Sequence, residues 1–117
     1  MNGSERHVLL LDLVEDAGLI AEYEAWHAAG AVPHAVVRSI RRAGIVGMEI
    51  YRAGDRLVMV METAAGFDAA AKAAADAADP DVRDWEALMS RFQRPISTAS
   101  PGEKWTTARR IFSLDEQ

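Results

Sequence analysis

The sequence predicts an α+β fold of the ferredoxin-like type, a four-stranded antiparallel sheet with helices on one face. Two strand-like runs, residues 47–52 and 56–62, flank the short loop 53–55 and predict a β-hairpin. Strand-like and helix-like segments on either side of the hairpin complete the order β-α-β-β-α-β. Residues 1–117 are expected to form one domain, because domains of about 100–150 residues are the commonest.

The first strand and the first helix follow from the spacing of apolar residues. Residues 7–14, HVLLLDLV, form a Leu- and Val-rich run bounded by polar residues, which is typical of a strand. Asp16 can cap the helix that follows, in which Leu19, Tyr23 and Trp26 recur at helical spacing. Gly30 is then expected to end this helix.

The remaining elements are predicted from prolines, glycines and alanines. Pro33 is suited to the first turn of a second helix. After the hairpin, residues 67–78 form an alanine-rich helix, and Asp79 and Pro80 supply the cap and first residue of a fourth helix. Residues 108–114, ARRIFSL, predict the final strand.

Two of the predicted strands are apolar on both faces. Residues 7–14 and 56–61 carry Leu, Val and Met at alternate and intervening positions alike, whereas the helices can cover only one face of the sheet. We therefore predict a homodimer in which two sheets pack face to face. The cavity between the sheet and the partner is the expected place for a pocket.

Composition excludes several classes of function. The net charge of −5 argues against nucleic acid as a partner, and the lack of cysteine excludes disulfides and thiolate nucleophiles. No apolar stretch approaches the roughly 20 residues that span a bilayer, and the N-terminus lacks the pattern of a signal peptide, so we expect a cytoplasmic protein without a membrane partner. No histidine spacing typical of a metal site and no glycine-rich nucleotide loop is present, so no cofactor is expected.

Tyr23 and His27 are one helical turn apart, so their side chains can approach the same point. Histidine exchanges protons near neutral pH, which suits a general acid/base at the edge of a pocket. The alternative is a core tyrosine beside a solvated histidine, and spacing alone favours it.

Two further pairs are candidates for ligand binding. Glu49 and Tyr51 share one face of a strand and predict either a polar pocket or a solvated sheet edge. Trp85 fits the apolar stripe of its helix, which favours a core position. Trp105 follows a Pro- and Ser-containing loop, which favours a lid or a dimer contact.

The order of these motifs resembles the L-rhamnose/L-fucose mutarotase family of dimeric ferredoxin-like proteins. EYEAWH and DWEALM are the most specific stretches, and the resemblance extends over residues 6–115. It implies a cofactor-free isomerase that interconverts the α and β anomers of a 6-deoxy sugar. It also implies that His27 is catalytic, that Tyr23 contacts the substrate and that Trp85 stacks on it.

The sequence departs from rhamnose-type members in three places. AAGAVP follows His27 without the expected tryptophan, Glu86 replaces the second of two adjacent tryptophans, and the expected strand tyrosine falls near Met48, three residues before Tyr51. L-Fucose is therefore the first candidate substrate and L-rhamnose the next, with Tyr23 or Glu49 as the second acid/base group. Alternatives of the same architecture are a cofactor-independent monooxygenase and a non-enzymatic ligand-sensing dimerisation module.

Overall fold

A computed structural model describes residues 3–117, which form an antiparallel sheet covered on one face by four α-helices. The strands are β1 Glu5–Leu13, β2 Ile45–Ala53, β3 Arg56–Thr63, β4 Gln93–Arg94 and β5 Thr106–Thr107. The helices are α1 Ala17–Trp26, α2 His34–Arg42, α3 Ala69–Ala78 and α4 Pro80–Ser90, and the chain ends in a 3₁₀ turn, Leu114–Glu116.

Strand β1 lies inside the sheet, whose order is β2-β3-β1-β4, with β5 pairing a different part of β1. All these pairs are antiparallel. The predicted hairpin is confirmed: β2 and β3 pair up to Ala53 and Arg56, across a turn of two residues. Gly54 occupies this turn at φ 61°, a backbone conformation that glycine adopts without steric cost.

Both predicted helix caps are formed. A side-chain oxygen of Asp16 accepts a hydrogen bond of 2.9 Å from the backbone N–H of Leu19 and begins α1. Asp79 accepts a hydrogen bond of 2.9 Å from the N–H of Asp81 and begins α4, with Pro80 as its first residue. These caps fix where each helix starts, and therefore which side chains face the sheet.

The helix-facing side of the sheet contributes the centre of the core. Leu13 and Leu57 are almost fully buried and pack with Tyr23 of α1, Met89 of α4 and Phe92. Because side chains alternate along a strand, the positions in register with these leucines share their face. The face toward the helices is therefore apolar along most of β1 and β3, and polar exceptions such as His7 and Thr63, whose side chains lie within 3.0 Å of each other, are at one end.

The opposite face of the sheet carries Val8, Leu10, Val58 and Val60, which pair in register across β1 and β3 and are only partly buried. Asp12 on this face is 7% exposed and accepts two hydrogen bonds from Arg56, of 2.8 and 3.1 Å. As predicted, the sheet is thus apolar on both sides, with the helices on one of them.

The prediction of a final strand at residues 108–114 is wrong. The regular pairing stops at β5, and residues 108–113 form neither strand nor helix. Ala108 still donates a hydrogen bond of 2.8 Å to the carbonyl oxygen of Val8 in β1, but beyond it the chain leaves the sheet, and no strand among residues 3–117 pairs with residues 109–113. The strand-like side chains Ile111, Phe112 and Leu114 are left 86%, 63% and 75% exposed.

Candidate active site

A cavity of about 930 Å³ lies between the sheet and the helices of the same chain. The sheet contributes side chains of its helix-facing side, among them Leu9, Ile50 and Met59. This cavity lies on the helix-covered face of the sheet, whereas the pocket predicted from the sequence lies on the opposite face, against a partner, and stays a prediction. The helices do not close completely onto the central part of the sheet, and this gap is the candidate site.

His27 borders this cavity as the residue that ends α1. Its Nδ1 lies 2.7 Å from the backbone carbonyl oxygen of Tyr23, one turn earlier. A carbonyl oxygen only accepts hydrogen bonds, so Nδ1 carries the proton and donates it. In the neutral ring Nε2 is then the unprotonated nitrogen, free to accept a proton from a ligand.

Tyr23 is buried beneath His27, with the two rings 4.3 Å apart. Burial raises the pKa of Tyr23 above its usual value; a hydrogen bond from Gln93 opposes this rise and the charge of Glu86 adds to it. The phenol therefore stays protonated at neutral pH, where it can donate a hydrogen bond to a ligand and act as a weak acid. Since Tyr23 also borders the cavity, an acid and a base lie side by side there.

Trp85 and Trp105 supply flat apolar walls. The ring of Trp85 lies 5.4 Å from that of His27 in an edge-to-face arrangement. Trp105, in the loop before β5, packs against the core cluster and borders the cavity of its own chain. The ring centroids of Trp26 and Trp85 are 6.2 Å apart, but Trp26 does not border the cavity. Of the three tryptophans, only Trp85 and Trp105 can therefore contact a ligand there.

Glu49 and Tyr51 are not brought to this cavity. They pair in register with Val60 and Val58, so their side chains lie on the sheet face opposite the helices. There the Tyr51 hydroxyl donates a hydrogen bond of 2.7 Å to the Glu49 carboxylate, which raises the pKa of Tyr51. The geometry of this chain gives no support to either residue as a sugar ligand or to Glu49 as the second acid/base group.

Gln93 is a cavity residue that sequence reasoning missed. It begins β4, and its side-chain nitrogen lies 3.1 Å from the Tyr23 hydroxyl. A strand of two residues has no periodicity, and a single glutamine after a helix belongs to no motif. Only the pairing of Gln93 with Leu13 of β1 brings it beside Tyr23, and that pairing has no local signal.

The assembled groups can carry out proton transfer on a small polar ligand with one apolar face. His27 offers a basic nitrogen, Tyr23 a protonated phenol, and the two tryptophans an apolar surface. Among residues 3–117, no three His, Asp or Glu side chains are grouped to hold a metal ion. None of the helices described is long and apolar enough to cross a membrane.

Comparison of the sequence with known proteins identifies the family. Residues 6–114 match the L-rhamnose mutarotase family. The chain is 53% identical to an L-fucose mutarotase of Xanthomonas campestris, over 96% of this chain and 90% of that protein. It is 33% identical to a UPF0734 protein of Dictyostelium discoideum, over 90% of this chain and 86% of that protein.

A solved structure agrees in fold. The L-rhamnose mutarotase of Formosa agariphila superposes with a TM-score of 0.65 at 13% identity, covering 94% of this chain and 98% of that one. Because the family match extends over nearly the whole chain, it includes every element that borders the cavity. This protein belongs to the L-rhamnose mutarotase family.

Proposed function

We propose that this protein is an isomerase that interconverts the α and β anomers of L-fucose, with L-rhamnose as the next candidate substrate. The choice of L-fucose is supported by the 53% identity to a protein of that activity. The observation that carries the chemistry is the hydrogen bond from His27 Nδ1 to the Tyr23 carbonyl, which leaves Nε2 as a base beside a protonated phenol.

The proposed reaction opens and recloses the sugar ring. His27 Nε2 takes the proton of the anomeric hydroxyl while the Tyr23 hydroxyl protonates the ring oxygen, and the bond between C1 and the ring oxygen breaks. The open-chain aldehyde then turns about its C1–C2 bond. In the reverse step, phenolate Tyr23 recovers its proton, the C–O bond re-forms on the other face, and protonated His27 returns its proton to the anomeric oxygen.

The apolar walls hold the sugar for this step. Trp85 and Trp105 are proposed to cover the apolar face of the pyranose, as tryptophan does with flat apolar surfaces. Ile50 and Met59 on the floor of the cavity provide an apolar surface for the methyl group of a 6-deoxy sugar. A hydroxymethyl group at this position would lose its hydration without a hydrogen-bond partner from these side chains.

A homodimer and a cytoplasmic location stay predictions. The homodimer is supported by the partly buried valines Val58 and Val60 on the face of the sheet away from the helices. Further support comes from Ile111 and Phe112, because these large apolar side chains are exposed and a partner would remove them from water.

Saturation-transfer NMR of anomeric exchange tests the reaction directly. We expect wild-type protein to accelerate exchange for L-fucose more than for L-rhamnose or D-glucose. His27→Ala should slow the catalysed exchange by about 10²–10⁴-fold, the usual contribution of a positioned acid/base group. His34→Ala, at an exposed position at the start of α2, is the matched control and should exchange at the wild-type rate.

Three outcomes would each contradict a part of the proposal. If no sugar exchanges faster than in buffer, the protein is not a mutarotase for these substrates. If His27→Ala retains the wild-type rate while folding normally, His27 is not the base. L-Rhamnose exchanging faster than L-fucose would overturn the choice of substrate and leave the reaction type in place.

A further inference from the structure

The amide of Gln93 makes one hydrogen bond and leaves another unmade. Its Nε2 lies 3.1 Å from the hydroxyl oxygen of Tyr23, 70 residues away in sequence. Its Oε1 is buried and has no hydrogen-bond partner, the one such side-chain atom among the described residues. Buried acceptors are rarely left unpaired in folded proteins, so an orphan at the wall of a cavity is a position where a ligand can supply the donor.

The hydrogen bond that Gln93 does make sets the direction of the Tyr23 proton. An amide nitrogen only donates, so the phenol oxygen of Tyr23 must accept. The phenol's own proton is then free to point elsewhere, and Tyr23 borders the cavity. Gln93 thus favours the orientation in which Tyr23 donates to a ligand.

The unpaired acceptor, Gln93 Oε1, belongs to a residue in the wall of the same cavity. Gln93 borders the cavity together with Trp105 and Glu86. The Nζ of Lys104 donates a hydrogen bond of 3.0 Å to Oε1 of Glu86, so this carboxylate has a partner. The Oε1 of Gln93 has none. The last side-chain bond of glutamine has a broad energy minimum, so a small rotation can turn Oε1 toward a hydroxyl in the cavity while Nε2 stays near Tyr23.

We propose that Gln93 is a specificity and positioning residue: its Oε1 accepts a hydrogen bond from one ring hydroxyl of the sugar, and its Nε2 holds Tyr23 as the proton donor. This inference rests on the proposed function and adds to it the residue that recognises a hydroxyl. A carbonyl oxygen suits this task because it accepts from a hydroxyl and rejects a methylene at the same position.

The test combines variants of the protein with variants of the sugar. The substrates are L-fucose and its 2-, 3- and 4-deoxy analogues, and the variants are Gln93→Met, which keeps the length without polar atoms, and Gln93→Glu. We expect wild type to lose about tenfold in kcat/KM with one analogue, equivalent to about 1.4 kcal/mol for one hydrogen bond. Gln93→Met should lose about tenfold on L-fucose and show no further loss with that analogue.

Gln93→Glu separates the two roles. Its carboxylate still accepts from the sugar hydroxyl, so KM should stay within about twofold of wild type. The carboxylate also accepts a hydrogen bond from the Tyr23 hydroxyl. Because that hydroxyl then no longer points at the sugar, kcat should fall by about tenfold or more. In a Tyr23→Phe background the same change should leave kcat unaltered, because no phenol proton remains to be redirected. A purely structural role for Gln93 would not produce this dependence on Tyr23.

Arg94→Met is the matched control, since Arg94 is the next residue of β4 and its side chain bonds Asp55 away from the cavity. It should keep wild-type kcat and KM. Equal losses with every deoxy analogue in wild type and Gln93→Met, in folded proteins, would overturn the proposal. If Gln93→Met does not fold, Gln93→Glu decides: unchanged kcat overturns it. A wild-type protein without mutarotase activity would instead refute the proposed function.

Discussion

The imidazole of His27 donates its Nδ1 proton to the backbone carbonyl oxygen of Tyr23 over 2.7 Å. The helix fixes the direction of this backbone carbonyl. The hydrogen bond therefore fixes both the orientation of the imidazole ring and its tautomer. We expect ¹⁵N-labelled protein to show His27 as the Nδ1–H tautomer when neutral, in long-range ¹H–¹⁵N spectra. A dominant Nε2–H tautomer would contradict the assignment of Nε2 as the base.

The three tryptophans provide an internal comparison of stacking and packing. Trp85→Ala and Trp105→Ala should each raise KM by about tenfold, because aromatic contacts contribute about 0.5–1.5 kcal/mol beyond the area they bury. Trp26→Ala, which contacts Trp85 but not the cavity, should lower thermal stability and leave KM within about twofold. Equal KM effects at all three positions would show that packing, not stacking on the sugar, is measured.

The apolar floor of the cavity predicts discrimination at C6 of the sugar. L-Galactose has the configuration of L-fucose with a hydroxyl added at C6, and should show a kcat/KM about 10- to 100-fold lower. D-Arabinose lacks the methyl group altogether and controls for its contribution, with an expected loss of about tenfold. L-Galactose turning over as fast as L-fucose would place the methyl group away from Ile50 and Met59.

Asp12 predicts how stability depends on pH. The hydrogen bond from Arg56 holds the pKa of Asp12 below its usual value, more than burial raises it. This contribution to stability is therefore present above the unfolded pKa of 3.8 and is lost as pH falls through the lower folded pKa. In urea unfolding, Asp12→Asn should cost about 1 kcal/mol at pH 7, because Arg56 is half exposed and screened, and less below pH 4.

A double-mutant cycle isolates the Asp12–Arg56 pair in that prediction. Arg56→Gln alone leaves the Asp12 carboxylate, 7% exposed, without its main partner. We expect Asp12→Asn and Arg56→Gln to be non-additive at pH 7 and closer to additive at pH 3. Additive losses at both pH values would mean that the pair contributes no coupling energy.

The face of the sheet away from the helices predicts the oligomeric state. Val60 lies between Val8 and Glu49 in register, at the centre of this face. A lysine there would bury a charge against the partner, so Val60→Lys should convert a dimer to a monomer in sedimentation velocity. Ala73→Lys, on the exposed side of α3, is the matched control and should remain dimeric. A monomeric wild type at tens of micromolar protein would refute the homodimer.

The same surface tests the two residues that the structure places outside the cavity. Tyr51→Phe and Glu49→Gln should leave kcat and KM of mutarotation at wild-type values. Their effect is expected on dimer dissociation, since both side chains lie on the face that carries Val58 and Val60. A KM increase in either variant would restore their candidacy as sugar ligands.

Local sequence signals predicted most of the fold. The turn at Gly54, the caps Asp16 and Asp79, and the apolar strands are each encoded within about ten residues, and all appear where expected. The strand predicted at 108–114 is wrong because a strand needs an edge to pair with, and that information lies elsewhere in the chain.

Only part of the candidate site could be predicted, again because some of its contacts depend on residues far apart in the chain. Helical spacing placed Tyr23 and His27 together, and the structure confirms that proximity. Alternation placed Glu49 and Tyr51 on one face of β2, also correctly. It could not say which face, because both sides of the sheet are apolar and a pattern of period two has no reference to the helices. Gln93 and the position of Trp105 depend on tertiary pairing alone.

The cavity volume of about 930 Å³ has a consequence for how this protein holds its substrate. A pyranose that opens must swing its aldehyde end through a half-turn before it closes again, and a pocket tight around the ring would block that swing. Room at the anomeric end is therefore part of the chemistry. The binding contacts are therefore expected at the end of the sugar away from C1. Because the anomeric end must stay free to rotate, we expect the overall affinity for the sugar to be weak.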